Sequence, residues 1–387
     1  HHMNIGDRVT VEIGPIAHGG HCVARHEGQV IFVRHAIPGE RALVEITEKT
    51  SKFLRGNAIE IREKSPHRLT PVCTYARWDG CGGCDFQHID VNYQRELKTQ
   101  IIKEQFQRLA KKEITCSIEA VEPLDGLHWR TRMDFTVSEN RKLALCQARS
   151  HDVIEIDSCA IADSRMNISE INSQKLPRGS KVDVAISRSG KQSIAIENRE
   201  NFELIDEGID QILSISPQSF WQSHISAPRT LVDAVANFSD IQAGDHVFDL
   251  YGGVGLFTSD AVKRVGVAGR VTLIELDAQA ITDAHRNFAE YDTVEIVESS
   301  VDRALKKYAR ADVIILDPPR SGAGKNVVEQ IVKLTPRVIT YVSCDPASLA
   351  RDCAYFEERG YRMAAIRAFD LFPMTQHMEC VARFIPA

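Results

Sequence analysis

The feature that most constrains this chain is the segment Asp249-Leu-Tyr-Gly-Gly-Val-Gly255, which stands between an apolar run and a helical pattern. Val247 and Phe248 precede it, so the sequence predicts a strand that enters a glycine-rich loop and continues into a helix. Such a turn brings backbone N–H groups close to a ligand. Glu275 lies 20 residues after the last glycine, at the end of the next apolar run. An acidic residue there is placed to hydrogen-bond ribose hydroxyls.

The loop also narrows the class of ligand. No Walker lysine follows the glycines and no complete G-x-G-x-x-G is present, so ATP and NAD are less favoured than an adenosyl ligand such as S-adenosylmethionine. From residue 245 onward, predicted strands alternate with helices, which indicates a doubly wound parallel sheet of Rossmann type. The strands are predicted at 246–251, 271–275, 294–298, 312–317, 337–342, 362–369 and 381–385. The helices are predicted near 278–290, 302–309, 325–334 and 346–358.

Length and charge limit the number of domains and the kinds of partner that this chain can have. A chain of 387 residues predicts two or three domains. No apolar run is long enough for a membrane span and no signal peptide is evident, so we expect a cytoplasmic protein without membrane contact. The net charge is −6, yet basic residues cluster locally in a way that fits phosphate contacts or a solvated surface. That cluster comprises Lys52, Arg55, Arg62, Lys64 and Arg68. A monomer without an obligate protein partner is the expected state.

The N-terminal 60 residues read as a small barrel. Short alternating strands are predicted at 8–13, 29–33, 42–46 and 57–61, separated by glycine and proline turns. The pattern Gly-Gly-x-x-Val-Ala-Arg25, followed by Ile31-Phe-Val-x-x-Ala-Ile-Pro-Gly-Glu40, resembles the TRAM domain. This is an oligonucleotide-binding-type barrel attached to RNA-modifying enzymes.

The cysteines indicate a metal centre. Cysteines in a cytoplasmic protein are expected to be reduced, so a cluster of them favours metal binding over disulfides. Cys73, Cys81 and Cys84 lie close together in the chain, and Cys159 is the best candidate for a fourth ligand. Four thiolates suit an iron–sulfur cluster. Zinc is the alternative, although zinc sites more often show two C-x2-C pairs.

Reactive side chains follow the predicted strands. Strand 312–317 ends in Asp317-Pro-Pro-Arg320, Cys344 ends the next strand before a helix, and Glu379 opens the last strand. The helix dipole ahead of Cys344 favours a thiolate, and Glu379 can act as a general base. Thiolate addition at C6 of a pyrimidine makes C5 nucleophilic toward a sulfonium methyl group, after which a base removes the C5 proton. The target base must leave its stack, which implies a flipped or single-stranded nucleotide.

Two other segments are ambiguous. The arginines of Trp129-Arg-Thr-Arg132 fit phosphate contacts or surface ion pairs equally well. The aromatic pair Phe220-Trp221, ahead of a helix predicted to start near Pro228, is interpreted as core packing.

Together these motifs resemble the TRAM-containing RNA (uracil-5-)-methyltransferases, which make 5-methyluridine in ribosomal or transfer RNA. The resemblance spans essentially the whole chain. It rests on Asp249-Leu-Tyr-Gly-Gly-Val-Gly255, Asp317-Pro-Pro-Arg320, Tyr341-Val-Ser-Cys-Asp-Pro346 and Pro373-x-Thr-x-His-x-Glu379, in the family's order. It implies an α/β protein with a Rossmann-like class I methyltransferase sheet. It also implies methylation of uridine C5 in RNA, with 23S rRNA favoured over tRNA as partner.

The resemblance assigns roles to individual residues. Cys344 matches the nucleophile and Glu379 the base. The implied S-adenosylmethionine contacts are Gln222, Tyr251, Gly253, Gly255, Glu275 and Asp317. The implied ligands of a [4Fe-4S] cluster are Cys73, Cys81, Cys84 and Cys159. The chain departs from the family in a Cys73–Cys81 spacing two residues longer than C-x5-C, in Gly252 for a usual cysteine, and in Leu256 where some members have a cofactor-binding asparagine.

Three domains follow: a TRAM barrel that binds RNA (4–62), a central α+β region with the cluster cysteines (63–210) and a catalytic domain (211–387). Two alternatives are a tRNA enzyme and a cytosine-5 RNA methyltransferase. The latter enzymes carry a cysteine after the first proline at this strand end, where this chain has Pro319. An alternative from a different functional class is a non-catalytic iron–sulfur RNA-binding factor. The presence of both Cys344 and Glu379 argues against it.

Overall fold

The structure is a computed structural model that describes residues 2–147, 152–197, 204–205 and 209–387. Its strands are β1 (Arg8–Glu12), β2 (Cys22–His26), β3 (Gln29–Arg34), β4 (Arg41–Lys49), β5 (Leu54–Glu63), β6 (Ile118–Glu119), β7 (Arg132–Val137), β8 (Leu143–Cys146), β9 (Val153–Glu155), β10 (Lys181–Ile186), β11 (Gln192–Ile196), β12 (Leu204–Ile205), β13 (Leu213–Ser214), β14 (His246–Leu250), β15 (Arg270–Glu275), β16 (Val294–Glu298), β17 (Val313–Leu316), β18 (Val338–Ser343), β19 (Tyr361–Phe369) and β20 (Glu379–Pro386). Its helices are α1 (Val91–Ala110), α2 (Ile168–Asn172), α3 (Ala227–Ser239), α4 (Leu256–Val265), α5 (Ala278–Asn287), α6 (Val301–Leu305), α7 (Lys325–Lys333) and α8 (Pro346–Glu357).

The N-terminal barrel has the strand order β1-β4-β5-β3-β2, and its two edge strands lie against each other. Side chains alternate along each strand, so β3 buries Ile31 and Val33 while Phe32 and Arg34 face outward. β2 was not among the predicted strands. It forms because Glu27 and Gly28, both with positive φ, make a two-residue turn that returns the chain into β3.

The catalytic sheet has the strand order β16-β15-β14-β17-β18-β20-β19-β6. Every strand and helix predicted after residue 245 is present. One detail differs from the predicted parallel sheet, since β20 runs antiparallel between β18 and β19. Only the segment 370–378 separates β19 from β20, which is too short for a parallel crossover. Two apolar clusters fill the layers on either side of this sheet.

Helix α1 joins the barrel to the catalytic sheet. Its N-cap is Asp90, whose carboxylate accepts hydrogen bonds from the N–H groups of Asn92 and Tyr93. The helix packs against α8, and β6 then adds a short strand beside β19. One apolar cluster therefore runs from the barrel through α1 into the catalytic sheet. The boundaries 4–62, 63–210 and 211–387 remain predictions, but α1 and β6 lie against the catalytic sheet.

The central region contains a second sheet in the order β11-β10-β7-β8-β9, with its own apolar cluster. The predicted region 63–210 includes residues 148–151, 198–203 and 206–208, which lie outside the described part. Among the described residues, no helix combines the length and apolar character that a membrane crossing requires.

The predicted basic cluster is not a continuous patch. Arg68 donates hydrogen bonds to the buried carboxylate of Glu40 and to the His35 carbonyl, so it holds the barrel together. Arg62 pairs with Glu60 at 2.8 Å on the surface. Glu60 lies two residues before Arg62 on β5, whereas Glu40 lies 28 residues from Arg68, so spacing along the chain did not reveal the Glu40 partner.

Candidate active site

Strand register gathers the predicted site residues at one edge of the catalytic sheet. β14, β17 and β18 are parallel, so the loops that follow them open at the same edge. β20 starts at this edge, and the pairing of Ser343 with Cys380 places Cys344 next to Glu379. Asp317 directly follows β17. Glycine loop, carboxyl, thiol and base candidate thus lie together, although they are far apart in the chain.

A narrow pocket of about 40 Å³ opens beside the glycine loop. Gln222, Tyr251, Gly253 and Asp317, four of the six predicted cofactor contacts, line it. Leu256 also lines this pocket, so the position where some family members have asparagine is apolar here. The pocket is therefore the candidate adenosyl site.

The other two predicted contacts shape the loop. Gly255 is the N-cap of α4 with φ 106°, and a Cβ there would come within 2.1 Å of the Phe288 ring. Glu275 accepts a hydrogen bond at 3.0 Å from the N–H of Gly253, which ties the loop to β15. A contact of Glu275 with ribose stays a prediction. There is also no room for a side chain at Gly252, because a Cβ would lie 2.6 Å from Leu273 Cγ.

Two buried carboxyls and one half-buried carboxyl, that of Asp317, connect the pocket to the thiol. Burial, chiefly, raises the pKa of Asp249 to about 7, although Thr258 donates two hydrogen bonds to one of its oxygens. Burial and then the carboxylates of Asp249 and Glu275 raise the pKa of Asp317 to about 8. Burial and then Asp317 hold the pKa of Glu379 well above its usual range. Such a group of acids favours a cationic ligand, because a nearby positive charge stabilises the ionised carboxylates.

Cys344 lies in a second, larger cleft with a volume of about 250 Å³. Arg320 and His377 line the same cleft, and a guanidinium nitrogen of Arg320 lies 2.7 Å from His377 Nδ1. Burial and then Arg320 lower the pKa of His377 to about 4, so its ring is neutral and Nδ1 accepts this hydrogen bond. The cleft is large enough for a nucleobase and has a thiol in its wall.

The surroundings of Cys344 do not favour the expected thiolate. Burial and then the carboxylates of Glu379 and Asp317 raise the pKa of Cys344 to about 11. Asp345, which caps α8 by accepting a hydrogen bond from the N–H of Ser348 at 3.1 Å, adds a further negative charge near the sulfur. The interpretation from the helix N-terminus alone left out the burial and these carboxylates. Nothing in the sequence pattern shows how many carboxyls surround the sulfur.

The barrel forms part of this cleft. His18, Gly19 and Arg34 line it together with Cys344, and His18 Nε2 lies 2.5 Å from Asp345 Oδ1. Sequence reasoning missed these residues and assigned Gly19 only to a turn. No signal along the chain could have found a contact between residues 327 positions apart.

The four predicted cluster cysteines lie near one another. Burial is the main cause of the raised pKa of Cys81, and the neighbouring thiols of Cys159 and Cys73 raise it further. The pKa of Cys84 is raised in the same way, by burial and then by Cys159 and Cys81. The N–H of Gly83 donates a 3.4 Å hydrogen bond to the Cys81 sulfur. In the described part of the chain, no three His, Cys, Asp or Glu side chains are placed to hold a single metal ion.

The two ambiguous segments are now placed. Arg130 donates a hydrogen bond to the backbone carbonyl of Arg132 at 2.9 Å. Arg132 in turn donates one to the carbonyl of Pro217 at 3.3 Å. We expected phosphate contacts or surface ion pairs from the sequence and did not anticipate backbone carbonyls as partners. Trp221 is buried as predicted, but Phe220 is 70% exposed at the cofactor pocket, so the packing interpretation was wrong for that ring. Gln222, beside it, lies at the pocket as the resemblance implied.

The fold and this edge of the sheet define a class I S-adenosylmethionine-dependent methyltransferase. Family comparison matches residues 3–59 to the TRAM domain and residues 261–384 to tRNA (Uracil-5-)-methyltransferase. A Streptomyces avermitilis protein named as an uncharacterized RNA methyltransferase is 40% identical, covering 99% of each chain. One of the same description from Caldanaerobacter subterraneus is 30% identical, covering 98% of each.

A solved structure agrees in fold. The tRNA (uracil-54, C5)-methyltransferase of Pyrococcus abyssi, in complex with S-adenosyl-L-homocysteine, superposes with a TM-score of 0.72. The match covers 96% of this chain and 99% of the archaeal chain, at 23% identity. The chain belongs to the TRAM-containing RNA (uracil-5-)-methyltransferase family and is an RNA methyltransferase.

Proposed function

We propose that the protein methylates C5 of a uridine in RNA, with Cys344 as nucleophile and Glu379 as base. The observation that carries this proposal is the placement of Cys344 beside Glu379, in a cleft next to the cofactor pocket. Asp317 lines the pocket and acts electrostatically on both Cys344 and Glu379, so its carboxyl is near both the cofactor pocket and the reacting pair.

The residues fit an adenosyl cofactor. Gln222, Tyr251, Gly253 and Asp317 would hold it, with Gly255 and Glu275 fixing the loop. When bound, S-adenosylmethionine supplies an electrophilic methyl group on a cationic sulfur. That charge would lower the pKa of Asp317 and Glu379 and leave Glu379 ionised to act as base.

The chemistry of the chain then has three steps. The Cys344 sulfur, having lost its proton, forms a bond to C6 of the uracil, and the electron pair of the C5–C6 bond becomes available at C5. C5 forms its bond to the methyl carbon as the bond from that carbon to the cofactor sulfur breaks, which leaves S-adenosylhomocysteine. Glu379 takes the C5 proton, the electron pair of the C5–H bond restores the C5–C6 double bond, and the C6–S bond breaks to release Cys344 as a thiolate. Cys344 then regains a proton and Glu379 loses the one it took, so both return to their starting states.

We also propose that Cys73, Cys81, Cys84 and Cys159 hold a [4Fe-4S] cluster. Their mutual proximity and the Gly83 N–H donor to the Cys81 sulfur support this fit. The cluster would tie the loop of Cys73–Cys84 to Cys159. Anaerobic reconstitution, visible absorption and iron, sulfide and zinc analysis test this assignment.

The preferred substrate is 23S rRNA, because a TRAM barrel combined with the four cysteines resembles the ribosomal enzymes more than the tRNA enzymes. Release of tritium from RNA labelled at uridine C5, with S-adenosylmethionine present, tests the reaction. We expect release that Cys344→Ala abolishes while cofactor binding persists. Release from C5-labelled cytidine alone would overturn the proposal, and mapping of the methyl group decides between rRNA and tRNA.

A further inference from the structure

The turn between β1 and β2 places one barrel side chain, that of His18, at the start of α8. The Gly20 N–H donates a hydrogen bond to the Ala17 carbonyl at 3.0 Å, which closes a four-residue turn. His18 and Gly19 occupy its two central positions, and Gly19 has φ 97°, the positive sign that the second central residue of a type II turn requires. His18 is therefore at the tip of the turn, where it lines the cleft that contains Cys344.

His18 donates a hydrogen bond to Asp345, the first residue after Cys344. Its Nε2 lies 2.5 Å from Asp345 Oδ1. Burial alone would raise the pKa of Asp345, but hydrogen bonds from His18 and Ser348 lower that pKa below its ordinary value. The carboxylate is therefore ionised at neutral pH and can only accept, so Nε2 of His18 carries the proton.

The Asp345 carboxylate is held by the helix as well as by the barrel. Its second oxygen, Oδ2, accepts a hydrogen bond from the N–H of Ser348 at 3.1 Å and lies 2.8 Å from the Ser348 hydroxyl. On the other side of Cys344, the Ser343 hydroxyl donates to the Asp345 carbonyl at 2.8 Å. The backbone around Cys344 and one carboxylate oxygen are thus fixed within the catalytic domain, and the barrel supplies the donor to the other oxygen.

The Asp345 carboxylate acts on the sulfur of Cys344. Burial is the largest cause of the raised pKa of Cys344, and the charge of Asp345 is among the smaller ones. A donor at Oδ1 withdraws negative charge from this carboxylate, and loss of that donor would leave Oδ1 unpaired in a side chain that is only 12% exposed. The other charged or titratable groups around the sulfur and in the cleft wall are Arg34, Asp317, Arg320, His377 and Glu379.

We propose that His18 is a positioning residue for the thiol of Cys344, supplied by the barrel to the catalytic domain. By donating to Oδ1, it keeps the Asp345 carboxylate on the first turn of α8 and reduces the negative charge that this side chain places near the sulfur. The thiol then loses its proton more readily. His18 acts through Asp345 and does not touch the reacting atoms. The inference rests on the proposed function only in making Cys344 the nucleophile, and RNA has no part in the contact.

Alkylation of Cys344 by iodoacetamide, followed by mass spectrometry of the peptide that carries it, tests the proposal without RNA. The rate of this reaction depends on the thiolate fraction. We expect His18→Ala to react about threefold more slowly than the parent protein between about pH 7 and 9. His18→Gln retains a donor near the place of Nε2 and should recover most of that rate. A rate in His18→Gln no higher than in His18→Ala would contradict the hydrogen bond as the cause.

A double-mutant cycle separates this role from a change in access to the sulfur. Asp345→Asn removes the charge but keeps a side chain that caps helices well, so it should react at least as fast as the parent protein. Adding His18→Ala to Asp345→Asn should then have no further effect, because the two residues act as one pair. The same loss in both backgrounds would overturn the proposal, as would a parent-like rate in His18→Ala alone.

The matched control is His26→Ala. His26 is also a barrel histidine near a carboxylate, with Nε2 4.0 Å from Glu27 Oε1, and its side chain is 33% exposed against 39% for His18. It lies at the end of β2 and outside the cleft lining. His26→Ala should leave the alkylation rate of Cys344 unchanged. An equal loss in this variant would show a general effect of barrel stability and would overturn the assignment.

Methylation kinetics add a second readout. We expect His18→Ala to lower kcat by about threefold, while the KM for RNA and the Kd of S-adenosylmethionine stay at the parent values. A higher KM with a parent-like kcat would mean that His18 binds RNA instead, which contradicts a positioning role. If no uridine is methylated at all, the proposed function fails, whereas the alkylation rate still decides whether His18 acts on Cys344.

Discussion

Asp317 is the residue through which the cofactor pocket and the thiol cleft influence each other. It lines the pocket, and its half-buried carboxyl raises the pKa of both Glu379 and Cys344. Its own pKa, about 8, means that it is protonated at neutral pH before any ligand binds. The charge of the ligand therefore changes the protonation of the site.

The first prediction concerns the pH dependence of cofactor affinity. Below pH 8, a cationic ligand must displace a proton from Asp317, so its affinity is reduced. Above pH 8, Asp317 is already ionised. We expect the affinity for S-adenosylmethionine to rise with pH between about 6.5 and 9, by at most tenfold per pH unit for one proton. S-adenosylhomocysteine lacks the charge and should change less. Calorimetry in buffers of different ionisation enthalpy measures the released proton. Identical pH profiles for the two ligands would contradict this account.

The second prediction separates ligand clearance from folding at Gly253. Gly253 has φ 58° and lines the cofactor pocket, and a Cβ there meets no protein atom within 4 Å. Gly253→Ala should cost about 1–2 kcal/mol of stability through its left-handed backbone. It should also weaken cofactor binding, because the methyl group points into space a ligand needs. Gly244→Ala, with φ 87° and equally open space, is the control for stability alone. Equal cofactor affinity in both variants would show that the loop does not approach the ligand.

At the scale of elements, local patterns predicted the catalytic sheet well. Alternating apolar runs and helical stretches after residue 245 located every strand and helix, because each buries a face with its own periodicity. The glycine loop could be recognised in the sequence because its geometry requires glycine: at Gly255 there is no room for a side chain. The short connection 370–378 could have predicted the antiparallel direction of β20, since it leaves no room for a parallel crossover. The raised pKa of Cys344 was not predictable in this way, because it depends on which segments lie side by side in three dimensions.

The third prediction concerns how α1 holds the segment 370–378 that leads to Glu379. Lys98 is fully buried and donates hydrogen bonds to the Asp370 carboxylate at 2.9 Å and to the Phe372 carbonyl at 3.3 Å. Lys98→Met leaves the buried Asp370 carboxylate with less compensation. We expect a loss of about 3–5 kcal/mol in the free energy of unfolding, measured by urea denaturation. Lys103→Met, on the exposed side of the same helix, should change stability by less than about 0.5 kcal/mol. Arg95 also donates a hydrogen bond from Nε to the Asp370 carboxylate, at 2.9 Å. A similar small change in Lys98→Met would mean that Arg95 alone suffices to compensate Asp370.

For the whole molecule, the barrel is part of the catalytic cleft and not only an RNA-binding attachment. His18 contacts Asp345, the residue after Cys344, and Arg34 lines the cleft. A barrel resemblance could be read from 60 residues of sequence. Its position over Cys344 could not, because that contact joins residues 327 positions apart.

The last prediction uses Gly20, where the barrel touches the segment before Glu379. A Cβ on Gly20 would lie 2.5 Å from Gln376 Cβ, so Gly20→Ala should push the barrel away from the cleft. We expect kcat/KM for RNA to fall about tenfold or more, with cofactor affinity unchanged. Gly28→Ala is the matched control: its φ of 81° resembles the 86° of Gly20, but an added Cβ meets nothing within 4 Å. Both variants pay the same left-handed backbone cost of about 1–2 kcal/mol, so only contact with the catalytic domain distinguishes them. Equal losses of tritium release in the two variants would mean that the barrel acts through its own stability and does not complete the cleft.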